Sequence, residues 1–235
     1  MTSGDPLQPG EQLRAALSVD GGVLTSVQVQ RLGLERVIGQ VASESMLVRP
    51  YVRSRRMVEM TFVGLNEAVV NQAPRDMLHL ACLAETRGVL ALPPGAMTVL
   101  TPKPRTRTPD GQCVIDPVGD GPPWGVEIDC GYTTPEVLDK IQKFLGLKTF
   151  SDGGVIPKGT YAGVILSTTS RVHAQNLKER LSGIRGLHVV GPSAPGGWAD
   201  MPMVLPVRHG QQLYGVYICV VDVWTPPGGK FRERG

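Results

Sequence analysis

Residues 124–146, WGVEIDCGYTTPEVLDKIQKFLG, decide the fold of the C-terminal half. The mostly apolar residues 124–132 are typical of a β-strand. Residues 133–146 predict a helix, because Thr134 is a capping residue type and Pro135 suits the first turn. A stripe of apolar residues, one every fourth position, must be buried against another layer: Val137, Ile141 and Leu145. The stretch therefore predicts a strand followed by a helix that lies on a sheet.

The residues that follow repeat this alternation of strand and helix. TYAGVILS (160–167), GLHVVGP (186–192) and LYGVYICVVDVW (213–224) are typical of strands, and the last is apolar enough to be buried on both faces. RVHAQNLKERLSG (171–183) predicts a second helix, which Ser170 can cap. We expect an α+β, β-rich fold, in which the C-terminal half is a sheet with one or two helices.

The N-terminal half is predicted to be mixed α/β. APRDMLHLACLAETRG (73–88) favours a helix that starts at Pro74. Residues 25–34 fit either a half-buried strand or a helix capped by Thr25 or Ser26, and periodicity does not decide between them.

Domain organisation follows from composition. Residues 101–124 contain six prolines and three glycines, which is typical of a linker. We therefore expect an N-terminal unit over 1–100, a Pro/Gly-rich linker over 101–124 and a β-rich C-terminal unit over 125–235.

The overall composition excludes several classes of protein. The chain has 235 residues, 41% apolar and 19% charged, which is typical of a globular protein and not of a disordered one. No run of 18 apolar residues is present, so we expect no membrane partner. The N-terminus lacks the basic and apolar regions of a signal peptide. This predicts an intracellular protein, cytoplasmic or nuclear, or one within an assembled particle.

Metal and cofactor sites are not predicted. The four cysteines and four histidines are scattered, without the spacing of a zinc site, and free thiols are the simplest interpretation. Glu127 and Asp129 share one face of a strand and could hold magnesium, but a second ligand cluster is absent from the sequence. Solvation of a strand end explains these acids more simply.

Residues 151–160 have part of the spacing of a phosphate-binding loop, with Gly154 and Gly159 followed by Thr160. However, Lys158 precedes the second glycine, Pro157 has no amide hydrogen, and a strand pattern follows where a helix is required. The sequence predicts a turn here and no nucleotide site.

Three segments in order resemble trimeric dUTPases: IPKGTYAGVI (156–165), HGQQL (209–213) and PPGGKFRERG (226–235). The resemblance covers residues 156–235 and implies a related β-rich scaffold. The family's phosphate-holding Arg-Ser-Gly would fall at Ser167–Thr169, where the arginine is absent. Its third motif would fall in 186–198, which contains no acid. The resemblance thus implies a catalytically dead scaffold, of a kind that occurs among viral proteins that bind partners.

The candidate binding residues are arginines and one tryptophan. Segment 49–56, RPYVRSRR, holds four arginines and no acid, although the net charge of the chain is only +3. The candidates are Arg49, Arg53, Arg55 and Arg56, together with Trp198 in a Pro/Gly-rich loop. We expect a non-enzymatic protein that self-associates or binds protein partners. Two alternatives stay open: nucleic-acid binding through the basic segment, and a metal-dependent phosphate enzyme around Glu127 and Asp129.

Overall fold

The computed structural model describes residues 6–19, 21–49, 56–93, 95–100, 108–114, 123–145, 161–184, 186–193 and 214–229. The fold is mixed α+β, as predicted, with a three-stranded and a six-stranded sheet. The chain forms two compact units. The first contains the described residues up to 85 together with 222–229, and the second contains the described residues from 86 to 221.

The first unit combines helices with a small antiparallel sheet. Its elements are α1 (Pro9–Leu17), β1 (Val23–Thr25), α2 (Ser26–Arg31), a 3₁₀ helix (Glu35–Gln40), β2 (Ala42–Val48), β3 (Val58–Gly64), α3 (Glu67–Val70) and most of α4 (Pro74–Val89). The strands lie in the order β1-β3-β2. One core cluster of this unit is built from α1, β1, α2, β3, α4 and the turn before the 3₁₀ helix: Leu13, Leu17, Leu24, Val29, Leu34, Val63 and Ala84.

The ambiguity at residues 25–34 is resolved by a cap. Strand β1 ends at Thr25, and α2 begins at the next residue. The Gln28 backbone N–H donates to Thr25 Oγ1 at 3.2 Å, and the Thr25 N–H donates to Gln28 Oε1 at 2.8 Å. This reciprocal pair satisfies two of the amides that every helix start leaves open, so it favours the helix over a longer strand.

The second unit is built on a sheet whose centre is parallel. Its strands are β4 (Met97–Val99), β5 (Gly111–Cys113), β6 (Trp124–Asp129), β7 (Gly163–Thr168), β8 (Leu187–Ser193) and β9 (Tyr214–Val220). Helix α5 (Thr134–Phe144) connects β6 to β7, and α6 (Arg171–Ser182) connects β7 to β8. The order is β4-β5-β6-β7-β9-β8; β4 to β6 are antiparallel, and β6, β7, β9 and β8 are parallel.

The predicted strand–helix pattern of this unit is confirmed. Helix α5 buries its apolar stripe, and β7 and β9 lie in one sheet, fully buried as continuous apolar strands require. The cap of α5 is Thr133 rather than Thr134, with the Thr133 N–H donating to Glu136 Oε2 at 2.6 Å. Strand β9 ends at Val220 instead of 224, and the residues from Asp222 belong to the first unit.

The unit boundary differs from the expected linker. Strand β5 lies inside 101–124 and pairs with both β4 and β6, which joins residues on either side of that segment in one sheet. The chain enters the second unit within α4, after Glu85. Proline and glycine mark turns, but composition does not reveal which strands pair across those turns.

Two glycines make room for a tryptophan ring in the parallel sheet. Trp124 pairs with Gly163, which pairs in turn with Gly215, so the three residues form one row across β6, β7 and β9. A Cβ atom on Gly163 would lie 2.6–2.7 Å from carbons of the Trp124 ring, closer than van der Waals contact permits. The ring therefore occupies this space only because Gly163 and Gly215 lack side chains.

Candidate functional site

The candidate interface of the first unit includes two short helices that are joined by a tight turn. Between α2 and the 3₁₀ helix the chain reverses at Gly33, whose φ of +72° favours glycine, and the Leu34 N–H donates to the Val29 carbonyl at 3.1 Å. Gln28 Nε2 donates to Glu85 Oε2 at 2.9 Å and so ties α2 to α4. This is the order of elements in a helix-turn-helix.

Arg31, the last residue of α2, is an internal anchor. It donates to Glu85 Oε1 at 2.9 Å and to the backbone carbonyls of Asp222 and Thr225 at 2.6 and 2.7 Å. Burial raises the pKa of Glu85, although the hydrogen bond from Gln28 and the charge of Arg31 act in the opposite direction. Because its guanidinium is already paired, Arg31 holds the C-terminal segment in place and is poorly suited to bind a partner.

Two of the predicted binding arginines lie next to the paired strands of the β2–β3 hairpin. The strands pair in register from Ala42 opposite Gly64 to Val48 opposite Val58. Arg49 follows the last paired residue of β2, and Arg56 lies two residues before β3; both are exposed. Since paired strands lie about 5 Å apart, both arginines belong to the same end of the hairpin.

The remaining predicted binding residues lie outside the described residues: Arg53, Arg55 and Trp198. The same holds for most of the residues on which the dUTPase resemblance depends, 156–160, 209–213 and 230–235, and for the turn predicted at 151–160. The resemblance and the roles of these residues stay predictions.

A second polar cluster lies at the carboxyl ends of β6 and β7. Asp129 is completely buried, and its Oδ1 accepts hydrogen bonds from the Gly131 and Tyr132 N–H groups at 2.8 and 2.7 Å. Its Oδ2 lies 2.7 Å from His173 Nε2, in the first turn of α6. A carboxylate only accepts, so it holds the imidazole with the hydrogen on Nε2 and the lone pair on Nδ1.

This pair has the geometry of an oriented base. The His173 side chain is 22% exposed, and its Nδ1 has no partner in the described part of the chain. Ser170 Oγ accepts the His173 N–H at 3.2 Å, so the predicted cap of α6 is confirmed and fixes the first turn. The pair can accept a proton from a group beside Nδ1.

Glu127 is paired with a lysine. Its side chain is almost completely buried and accepts a hydrogen bond from Lys140 Nζ of α5. Burial lowers the pKa of Lys140, but the Glu127 carboxylate raises it, and the net effect is an increase. The ammonium also lies 3.6 Å from the centre of the Tyr132 ring. Glu127 and Asp129, the candidate ligands of the metal-enzyme alternative, thus already have protein partners, and no group of three potential ligands occurs within the described ranges.

The four cysteines, Cys82, Cys113, Cys130 and Cys219, are all buried, and none of them forms a disulfide with another described residue. Burial raises the pKa of the Cys113 and Cys219 thiols to about 12, so both stay protonated near neutrality. Ser167 Oγ lies 2.8 Å from Cys219 Sγ and accepts a hydrogen bond from Thr86 Oγ1. These side chains are hydrogen-bond partners of one another inside the second unit.

The partnership of Asp129 with His173 was missed by sequence reasoning. The signal was available: an aspartate ends one predicted strand, and a histidine lies just after the next strand in the chain. Consecutive parallel strands place their carboxyl ends on one edge of the sheet, which brings such residues together.

Comparison with protein-family models, with curated proteins and with solved structures finds no match to this chain. In the part of the chain that the structure describes, no helix has the length and apolar character needed to cross a membrane.

Proposed function

We propose that the first unit binds nucleic acid. The observation that carries the proposal is the register of β2 and β3, which places Arg49 and Arg56 at one end of a hairpin that follows two helices and a tight turn. Helix-turn-helix proteins contact the DNA groove and backbone with such elements. The order of elements is that of winged helix-turn-helix domains, a likeness of architecture alone.

The charges around this end favour phosphate as the partner. Segment 49–57 contains four arginines and no acid. Arginine pairs with phosphate through two parallel hydrogen bonds and releases bound counterions from nucleic acid. The low net charge of +3 does not oppose this, because binding depends on the local field of the basic end.

A salt titration tests the proposal. Fluorescence anisotropy with a 20-base-pair DNA duplex is recorded between 50 and 200 mM salt for the parent and for a variant with Arg49→Gln and Arg56→Gln. We expect weaker binding by the variant and a slope of log K against log salt that is smaller by about 2, because each phosphate contact contributes about 0.9.

A matched control removes two cations elsewhere. Lys178→Gln with Arg180→Gln neutralises the same charge on α6. We expect this control to retain the parent's affinity and slope. Equal losses in both variants would show that only net charge matters, and would refute the proposed interface. A stable oligomer in native mass spectrometry, with no shift on addition of duplex, would favour the alternative of self-association.

A further inference from the structure

His173 of the second unit has the features of an oriented nucleophile. Its Nε2 lies 2.7 Å from Asp129 Oδ2, which fixes the hydrogen there and leaves the lone pair on Nδ1. The carboxylate is itself held in place, because its other oxygen accepts the Gly131 and Tyr132 N–H groups. A carboxylate behind an imidazole also raises the basicity of the opposite nitrogen. In the described part of the chain that nitrogen has no partner, and it is not fully buried.

The surroundings of this nitrogen favour an incoming group with negative charge. His173 is the third residue of α6, and helical side chains lean toward the N-terminus, whose positive end stabilises anions. The first turn of α6 contains no acid, and the acid of this helix, Glu179, lies later in the chain beside Gln175. The two preceding residues, Arg171 and Val172, are exposed, so a small molecule can approach from solvent. A phosphoryl group has the charge that suits this position.

We propose that His173 is a phosphorylation site, whose Nδ1 accepts a phosphoryl group from a small activated phosphate compound, an acyl phosphate or a phosphoramidate. The Nδ1 lone pair forms a bond to phosphorus while the bond from phosphorus to the leaving group breaks. An acyl phosphate releases a carboxylate, and phosphoramidate releases ammonia. The ring keeps its hydrogen on Nε2, and Asp129 stabilises the positive charge that the ring gains. This inference does not depend on nucleic-acid binding by the first unit.

Potassium phosphoramidate, which phosphorylates imidazole directly, tests the proposal on the whole chain in mildly alkaline buffer. Peptide mass spectrometry follows the transfer to His173 and to His188, a half-buried histidine of β8 that serves as an internal comparison. We expect His173 to react on the order of tenfold faster in the folded protein, because a carboxylate lies behind its ring. In urea, which removes the fold, the two rates should be equal. Equal rates in the folded protein, or NMR spectra that place the phosphorus on Nε2 of His173, would overturn the inference.

Two variants separate the orientation of the ring from its exposure. Asp129→Asn should slow the reaction of His173 on the order of tenfold to a hundredfold, because the lone pair then leaves Nδ1. Asp139→Asn, at an exposed aspartate of α5, should leave the rate unchanged. A rate in Asp129→Asn equal to that of the parent would show that exposure alone determines reactivity, and would overturn the inference. Thermal melting checks that each variant remains folded, and the comparison of folded with urea-unfolded parent requires no variant.

Discussion

Replacement of Asp129 tests the polar cluster of the second unit most directly. Its carboxylate accepts three hydrogen bonds, two from backbone N–H groups and one from His173, and it is completely buried. Asp129→Ala leaves all three donors without their acceptor. The two backbone groups are half-buried and cost about 1 kcal/mol each, and loss of the bond from His173 to a charged group costs about 1.5–3 kcal/mol. We therefore expect a loss of about 3–5 kcal/mol.

Asp129→Asn distinguishes the contribution of Asp129 to stability from its effect on the tautomer of His173. The amide oxygen can still accept both backbone hydrogens, so the expected loss is only about 1–2 kcal/mol. The amide nitrogen is a donor, however, and it would face His173 Nε2. The histidine hydrogen should then move to Nδ1, as follows for any carboxylate–histidine pair whose carboxylate becomes an amide.

Urea denaturation measures the stability changes, and ¹H–¹⁵N spectra of the imidazole report the tautomer. The matched control is Asp139→Ala, an exposed aspartate of α5 whose partner Lys143 is also exposed; we expect no measurable loss of stability. If Asp129→Ala were as stable as this control, the three hydrogen bonds to Asp129 would be refuted. If the His173 hydrogen lay on Nδ1 in the parent protein, the proposed pairing of His173 with Asp129 would be refuted.

Three further predictions concern packing, charge and pH. Gly163→Ala should destabilise by about 1–3 kcal/mol, because its methyl group would overlap the tryptophan ring. As a control, Gly88→Ala has open space around the new methyl group and should stabilise the protein by about 0.5–1 kcal/mol. If both substitutions changed the melting temperature equally, the packing of Trp124 against Gly163 would be contradicted. Lys140→Met should cost about 2–4 kcal/mol, because it leaves Glu127 buried without its cation. Adding Glu127→Gln to this variant should restore part of the lost stability, as measured by urea denaturation. If no stability were restored, the ion pair of Lys140 with Glu127 would be contradicted. Because burial raises the pKa of Glu85, its stabilising contribution is complete below the unfolded pKa of about 4.3 and is lost as the pH rises through the folded pKa. Glu85→Gln should flatten this decline in denaturation measured from pH 4 to 7, and an unchanged pH dependence would contradict it.

Elements with strong local signals were predicted well. Helix α5 has a cap, a proline in its first turn and an apolar stripe, and the structure places it within one or two residues of the expected bounds. Strands β7 and β9 have apolar sequences that suit a strand buried on both faces. Each of these patterns involves neighbouring residues, which is why the sequence alone reveals them.

The short elements of the first unit were harder to predict. Residues 25–31 fit a strand by alternation and a helix by capping, and the hydrogen bonds between Thr25 and Gln28 favour the helix. The anchoring of Arg31 to Asp222 joins residues 191 positions apart in the chain. No local pattern signals a contact at that separation.

By itself, the sequence determined the mixed α+β class, the main strands and helices of the second unit and the concentration of arginines at 49–56. The tertiary structure decided which of these elements share a sheet, where one unit ends and the next begins, and which side chains meet. Capping, periodicity and charge depend on residues within a few positions of one another. Strand pairing and the meeting of Asp129 with His173 depend on the position of whole elements, and those positions are set by burial of the complete core.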